Sequence, residues 1–190
     1  MTRIDVRAVG MALVALTAVA VPLQASANLV TNGGFETGDL SGWTATGDTA
    51  FNGVQCAGPG PAVHEGNCGA LFGSLAVGGI QQVIDVGSAG LNWNLSFALM
   101  ADGGDHSSFS VSFGGVTLMS IVNPPAGAYT VYQFSGITAA PSMTLSFDLY
   151  DPTGFLSLDA VTVAVPEPAN AALLGAGLAA LFFARRRKAA

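Results

Sequence analysis

The residues best suited to chemistry crowd into one stretch, Asp102-Gly103-Gly104-Asp105-His106-Ser107-Ser108, which offers carboxylates, an imidazole and hydroxyls. A Ser-His-Asp site needs its three groups on separate supports that converge beside an oxyanion hole, whereas near neighbours in a strand-connecting loop point in unrelated directions. The stretch therefore reads as a solvated turn, a binding loop or a second cation site, and Asp102 and Asp105 are its candidate ligand-binding residues. Asp148 and Asp151 form a second acidic pair, but glycosidase chemistry needs two carboxylates facing each other about 5–10 Å apart across a cleft. Asp151-Pro152 instead opens a turn. No catalytic residue is assigned, and an extracellular hydrolase stays only as a rival reading.

Charge narrows the choice further. Residues 28–165 contain no Lys or Arg and ten Asp or Glu. Such a body repels phosphate backbones and anionic lipid headgroups, which excludes nucleic-acid binding and serves phosphoryl transfer poorly. It permits a divalent cation, and acidity for solubility alone accounts for the count equally well. For a neutral sugar the useful groups are exposed aromatic faces. Trp93, between Asn92 and Asn94, is the leading candidate, with Tyr129, Tyr132 and Tyr150 behind it and core packing as the alternative for each.

These groups must be carried by a scaffold, and the two ends of the chain differ from its middle. Arg3 and Arg7 precede the apolar run Val9 to Val21, then Pro22 and the small residues Ala25-Ser26-Ala27, an order that predicts a secretory signal peptide over 1–27 cut by signal peptidase before Asn28. At the other end Pro166-Glu167-Pro168 precedes the apolar run Ala171 to Ala184 and then Arg185-Arg186-Arg187-Lys188. This predicts a hydrophobic helix that spans the inner membrane transiently, its basic residues on the cytoplasmic side. Fourteen helical residues reach only about 21 Å against a hydrocarbon core of about 30 Å, so spanning requires local thinning and snorkelling.

Between the ends, apolar residues recur at every second position. Ser108 to Phe113 sets Phe109, Val111 and Phe113 on one face and serines on the other. Similar alternation marks Leu95–Leu99, Val116–Val122, Tyr129–Phe134, Met143–Leu149 and Phe155–Val163, with weaker signals at Trp43–Thr46, Ala70–Leu75 and Ile80–Val86. Gly114-Gly115 suits a two-residue hairpin, since both positions take positive φ without steric cost. Eight or nine short strands predict an all-β, two-sheet antiparallel jelly-roll sandwich over 28–165. Cys56 and Cys68 fall in this exported body, where an oxidising compartment favours a disulfide across the Gly- and Pro-rich stretch between them.

The C-terminal order of Pro166-Glu167-Pro168, apolar segment and Arg185, Arg186 and Arg187 resembles the PEP-CTERM sorting signal of Gram-negative bacteria, so 166–190 is read as a sorting domain. The resemblance implies export through the inner membrane, processing by exosortase near Pro166 to Pro168, and release or attachment at the surface of a cell that makes exopolysaccharide. A second resemblance lies in Asn28 to Glu36 and Leu40-Ser41-Gly42-Trp43, with Leu158 to Val163 near the domain end. These look like the first and last strands of galactose-binding-like jelly rolls, including several carbohydrate-binding-module families. That likeness implies a core position for Trp43 and a structural calcium held by Glu36 and Asp159. Ala160 stands where the family commonly has a second acid, and solvated turn residues are the competing account of both carboxylates.

The sequence thus predicts a secreted, surface-sorted, non-enzymatic β-sandwich associated with exopolysaccharide or extracellular matrix. The alternative is a dedicated carbohydrate-binding module, whose ligand would sit on an aromatic platform.

Overall fold

The computed structural model describes residues 27–56 and 63–166, together with Gly175 and Gly177. The chain divides into two compact units, one of Ala25–Glu167 and one of Met1–Gln24 with Pro168–Ala190. The expected signal peptide but for Ala27, Glu167, Pro168, Arg185, Arg186 and Arg187, and nearly all of the expected C-terminal helix, lie outside the described residues. Gly175 and Gly177 are helical. Among the described residues no helix is long and apolar enough to cross a membrane.

The larger unit is an all-β sandwich. Its strands are β1 (Thr44–Gly47), β2 (Gly53–Cys56), β3 (Cys68–Phe72), β4 (Gly78–Asp85), β5 (Asn92–Ala101), β6 (Ser108–Phe113), β7 (Val116–Val122), β8 (Thr130–Ile137), β9 (Ser142–Tyr150) and β10 (Leu156–Ala164). They form two antiparallel sheets of five, ordered β1-β4-β9-β6-β7 and β2-β3-β10-β5-β8. All nine strands expected from alternation are present within a few residues of their expected bounds. The tenth, β2, has no alternation to betray it and is joined to β3 by the Cys56–Cys68 disulfide, with Cys56 directly opposite Cys68 in the ladder. Gly114 and Gly115 turn β6 into β7 with φ of 62° and 81°, the left-handed conformation that a two-residue hairpin requires.

Alternation decides what is buried. Phe109, Val111 and Phe113 on β6, Leu145, Phe147 and Leu149 on β9, and Leu95, Phe97 and Leu99 on β5 face one another between the sheets. Phe97 meets Phe147 edge-on at 5.2 Å and Phe109 at 5.6 Å, so three strands lock at one aromatic junction. Each such side chain contributes roughly 1.5–3 kcal/mol through burial.

The segment before β1 is fastened to both sheets. Leu29 N–H donates to Val163 O and Val161 N–H to Gly33 O, each at 2.8 Å, so the segment runs along the end of β10. Gln82, buried on β4, accepts from Thr31 N–H and donates to the carbonyls of Thr31 and Gly42. An uncharged side chain thereby pairs with three partly buried backbone groups.

Candidate functional site

β10 carries a bulge between Asp159 and Thr162, with Ala160 at φ 52°. Leu158 and Val161 are therefore both in the core while Asp159 points to the outer face of its sheet. It is nevertheless completely buried, because the segment leading into β3 crosses over it. Asp159 Oδ2 accepts the backbone N–H groups of His64 at 2.7 Å and Glu65 at 3.1 Å. Glu36 Oε1 accepts those of Asn67 at 2.9 Å and Cys68 at 3.1 Å. Burial raises the Asp159 carboxyl above its ordinary value, against the pull of those N–H groups, whereas the backbone donors of Asn67 and Cys68 lower that of exposed Glu36. The Tyr129 ring meets that of His64 at 5.1 Å, tilted by 50°, on the same face, and burial, then the Asp159 charge, push its hydroxyl upward.

The geometry bears on calcium. Glu36 and Asp159 flank Gly34, whose missing Cβ would lie 3.8 Å from Glu36 Cγ and 4.0 Å from Asp159 Oδ1. Two hard oxygen donors beside a glycine turn suit calcium in kind, but the ion takes six to eight oxygens. One oxygen of each carboxylate already serves two N–H groups, Asp159 Oδ1 is bonded by Ala160 N–H, and no set of three His, Cys, Asp or Glu gathers among the described residues. Backbone carbonyls would have to supply the remaining ligands.

The loop singled out for chemistry does not assemble a catalytic triad. Ser107 is buried with its hydroxyl donating to Gly104 O, while Asp105 and His106 are exposed. Asp102 Oδ2 accepts Phe155 N–H at 2.8 Å, tying the β5–β6 loop to the β9–β10 turn. Asp148, on β9, lies 3.4 Å through Oδ2 from Ser110 Oγ on the neighbouring strand β6, whereas Asp151 is buried just beyond the end of β9, so the two do not face each other across an open cleft.

The aromatic expectation needs correction. Trp93 is 5% exposed and meets Phe113 edge-on at 5.0 Å inside the sandwich, so it offers no platform to solvent. Its phase explains this: Trp93, Leu95, Phe97 and Leu99 alternate into the core. Tyr132 stacks on Phe97 at 5.5 Å, and Trp43 is buried with Nε1 donating to Asn32 O, as the resemblance implies. Tyr150 lies half-buried on the outer side of β9.

What Trp93 does not present, its neighbours do. A groove follows β5 on the outer face of its sheet, between β8 and β10. Register stacks its lining in two rows, Ala164–Asn94–Ser135 and Thr162–Ser96–Gln133. Asn92, Ile137 and Pro166 border one end. Among the described residues the lining carries amides and hydroxyls beside Leu95, Phe134 and the edge of Trp93, and no ionised group. Asn92 and Asn94, the polar neighbours of Trp93, face this groove, while Trp93 faces the core in phase with Leu95 and Phe97, and that phase is the signal in the sequence for its burial.

Comparison with known proteins divides along the same two units. The family model of the PEP-CTERM protein-sorting motif matches residues 164–188, beginning on the last residue of β10. The chain carries this motif, which marks an exported protein sorted to the cell surface. No curated protein matches the chain. Among solved structures, TmCBM61 in complex with β-1,4-galactotriose is 21% identical, with a TM-score of 0.61 over 74% of this chain and 100% of that one. A xylan-binding domain of family 22 is 17% identical, with a TM-score of 0.53 over 73% and 96% of the two chains. A putative sugar-binding protein from Bacteroides thetaiotaomicron is 11% identical, with a TM-score of 0.55 over 74% and 100%. The sandwich therefore has the jelly-roll fold of carbohydrate-binding modules.

Proposed function

We propose that this chain is an exported, non-catalytic surface protein, processed by exosortase near Pro166 to Pro168, whose sandwich binds a neutral polysaccharide of the exopolysaccharide layer or matrix. The observation that carries the reading is the groove lined by Asn94, Ser96, Gln133, Ser135 and Thr162. Amides and hydroxyls pair with sugar hydroxyls as donor or acceptor, and a lining without ionised groups neither repels a neutral glycan nor requires a counter-charge. The jelly-roll likeness to carbohydrate-binding modules and the surface-sorting motif support it.

The test is saturable binding of the full chain to host exopolysaccharide and to a glycan array. Asn94→Ala and Gln133→Ala should each weaken binding by about tenfold, the consequence of losing roughly 1.4 kcal/mol. A second reading rests on Tyr150, an aromatic ring on the outer face of the other sheet, near Asp148 and Ser110. If Tyr150→Ala removes binding and Gln133→Ala does not, the ligand lies on that face. No saturable binding leaves a structural or adhesive role, and release of reducing ends from the polysaccharide would establish a hydrolase.

The calcium implied by the family likeness belongs with this proposal as a structural element. It would use Glu36 Oε2 and Asp159 Oδ1, and it is supported by the burial of Asp159 in a body that offers no Lys or Arg to balance its charge.

A further inference from the structure

At the end of the sandwich where the β5–β6 and β9–β10 loops meet, a second carboxylate is buried and only half satisfied. Asp151 is 1% exposed. Its Oδ1 accepts the N–H groups of Thr153 at 3.3 Å and Gly154 at 2.9 Å, and its Oδ2 has no hydrogen-bond partner among the described residues. An unpaired carboxylate oxygen removed from water is costly, and residues 28–165 hold no Lys or Arg to offset it.

Two glycines bring further oxygens close. A side chain on Gly104 would strike Thr153 Oγ1 and the Asp151 carboxylate, so the β5–β6 loop closes directly over Asp151. A side chain on Gly154 would strike the carboxylate of Asp102. Asp151 and Asp102 thus grip the adjacent N–H groups of Gly154 and Phe155, each through one oxygen. Asp151 Oδ2 and Asp102 Oδ1 remain.

We propose that this loop junction is a divalent-cation site of the calcium class, with Asp151 and Asp102 as its charged ligands and Thr153 Oγ1 and loop carbonyls as neutral ones. Hard oxygen donors, glycine-bared backbone and a buried uncompensated charge are what such an ion requires. The ion would pin the β5–β6 loop to the β9–β10 turn. This site is separate from Glu36 and Asp159 and does not depend on the glycan groove.

The test is calorimetric titration of calcium into the EDTA-treated full chain, with melting curves beside it. Wild type should bind calcium and melt higher with it. Asp151→Asn should lose at least tenfold in affinity at one site and, in EDTA, melt no lower than wild type, because the unpaired charge is gone. Asp102→Asn should weaken the same site and decides the matter if Asp151→Asn does not fold. Glu36→Gln should leave this site intact. Absence of calcium binding by wild type, unchanged binding in both Asn variants, or loss of all binding in Glu36→Gln would each overturn the proposal.

Discussion

Glu36 and Asp159 hold the two ends of one short segment. Asp159 takes the N–H groups of His64 and Glu65, and Glu36 those of Asn67 and Cys68, so residues from opposite ends of the domain fasten the chain as it enters β3. Asp159→Ala leaves three donors, the N–H groups of His64, Glu65 and Ala160, without their acceptor beneath a covered face, and each buried donor left without an acceptor costs about 1–3 kcal/mol. Glu36→Ala frees two donors, of which the Asn67 N–H is at an exposed position that water can reach. Urea unfolding should therefore show a clearly larger loss for Asp159→Ala, and equal losses would mean that water reaches both ends of the segment.

The same pair has opposite pH signatures. Glu36, Asp39 and Asp48 are lowered, chiefly by hydrogen bonds from Asn67, Ser41 and Ala50 respectively. Their contribution is present above the ordinary values of 4.5 for Glu and 3.8 for Asp and is lost as pH falls through the lower folded values. Asp159 is raised by burial from 3.8, so its folded form holds a proton longer than the unfolded chain. Its contribution is complete below 3.8 and is lost as pH rises through the folded value. In EDTA, wild type should lose stability relative to Asp159→Asn as pH rises above about 4. Parallel stability–pH curves for the two proteins over that window would remove burial of this charge as the cause.

Reduction tests the bridge between β2 and β3. Cys56 and Cys68 close a segment whose ends are 12 positions apart, and a cross-link of that span stabilises by roughly 2–3 kcal/mol through restriction of the unfolded chain. β2 has only β3 as its ladder neighbour, so it lacks support from a second strand. Dithiothreitol should lower the melting temperature and raise hydrogen exchange first at Gly53–Cys56. An unchanged melt together with two titratable thiols in the native protein would exclude the bridge.

How far the sequence exposed all this depends on the strand. Ser108 to Phe113 announces both its structure and its buried face, because six residues alternate without interruption. Gly53 to Cys56 announces neither; its strand exists through β3 and the disulfide, which are tertiary facts. Asp159 was legible as an acid on the last strand, but its burial comes from the segment at 63–66 crossing the sheet, and no local pattern encodes that crossing. The groove was partly legible. Asn92 and Asn94 were singled out as polar neighbours, while Ser135, Gln133 and Thr162 meet them only through register across β8 and β10.

The two tryptophans provide a sharper test of the core, because both are buried and, among the described residues, only Trp43 has a partner for its ring N–H. Trp43 Nε1 donates to Asn32 O at 3.1 Å, in the segment that carries Glu36. Trp93 Nε1 is buried without a partner among the described residues, its ring edge filling the place where a side chain on Gly136 would stand, with Cζ2 only 2.6 Å from that position. Replacing Trp43 by Phe removes ring volume, breaks the bond and leaves the Asn32 carbonyl with the Phe35 N–H alone. Replacing Trp93 by Phe also removes volume but eliminates an unsatisfied polar group worth about 1–3 kcal/mol of desolvation. Trp93→Phe should therefore be the milder change, and Trp93→Phe with Gly136→Ala should recover part of the lost packing. Gly136→Ala alone should cost about 1–3 kcal/mol, because the new methyl meets the indole. Urea midpoints for the three single variants and the double variant measure each term. If Trp93→Phe is as damaging as Trp43→Phe, the indole N–H of Trp93 has a partner in solution, and the volume of the ring alone does not explain its place beside Gly136.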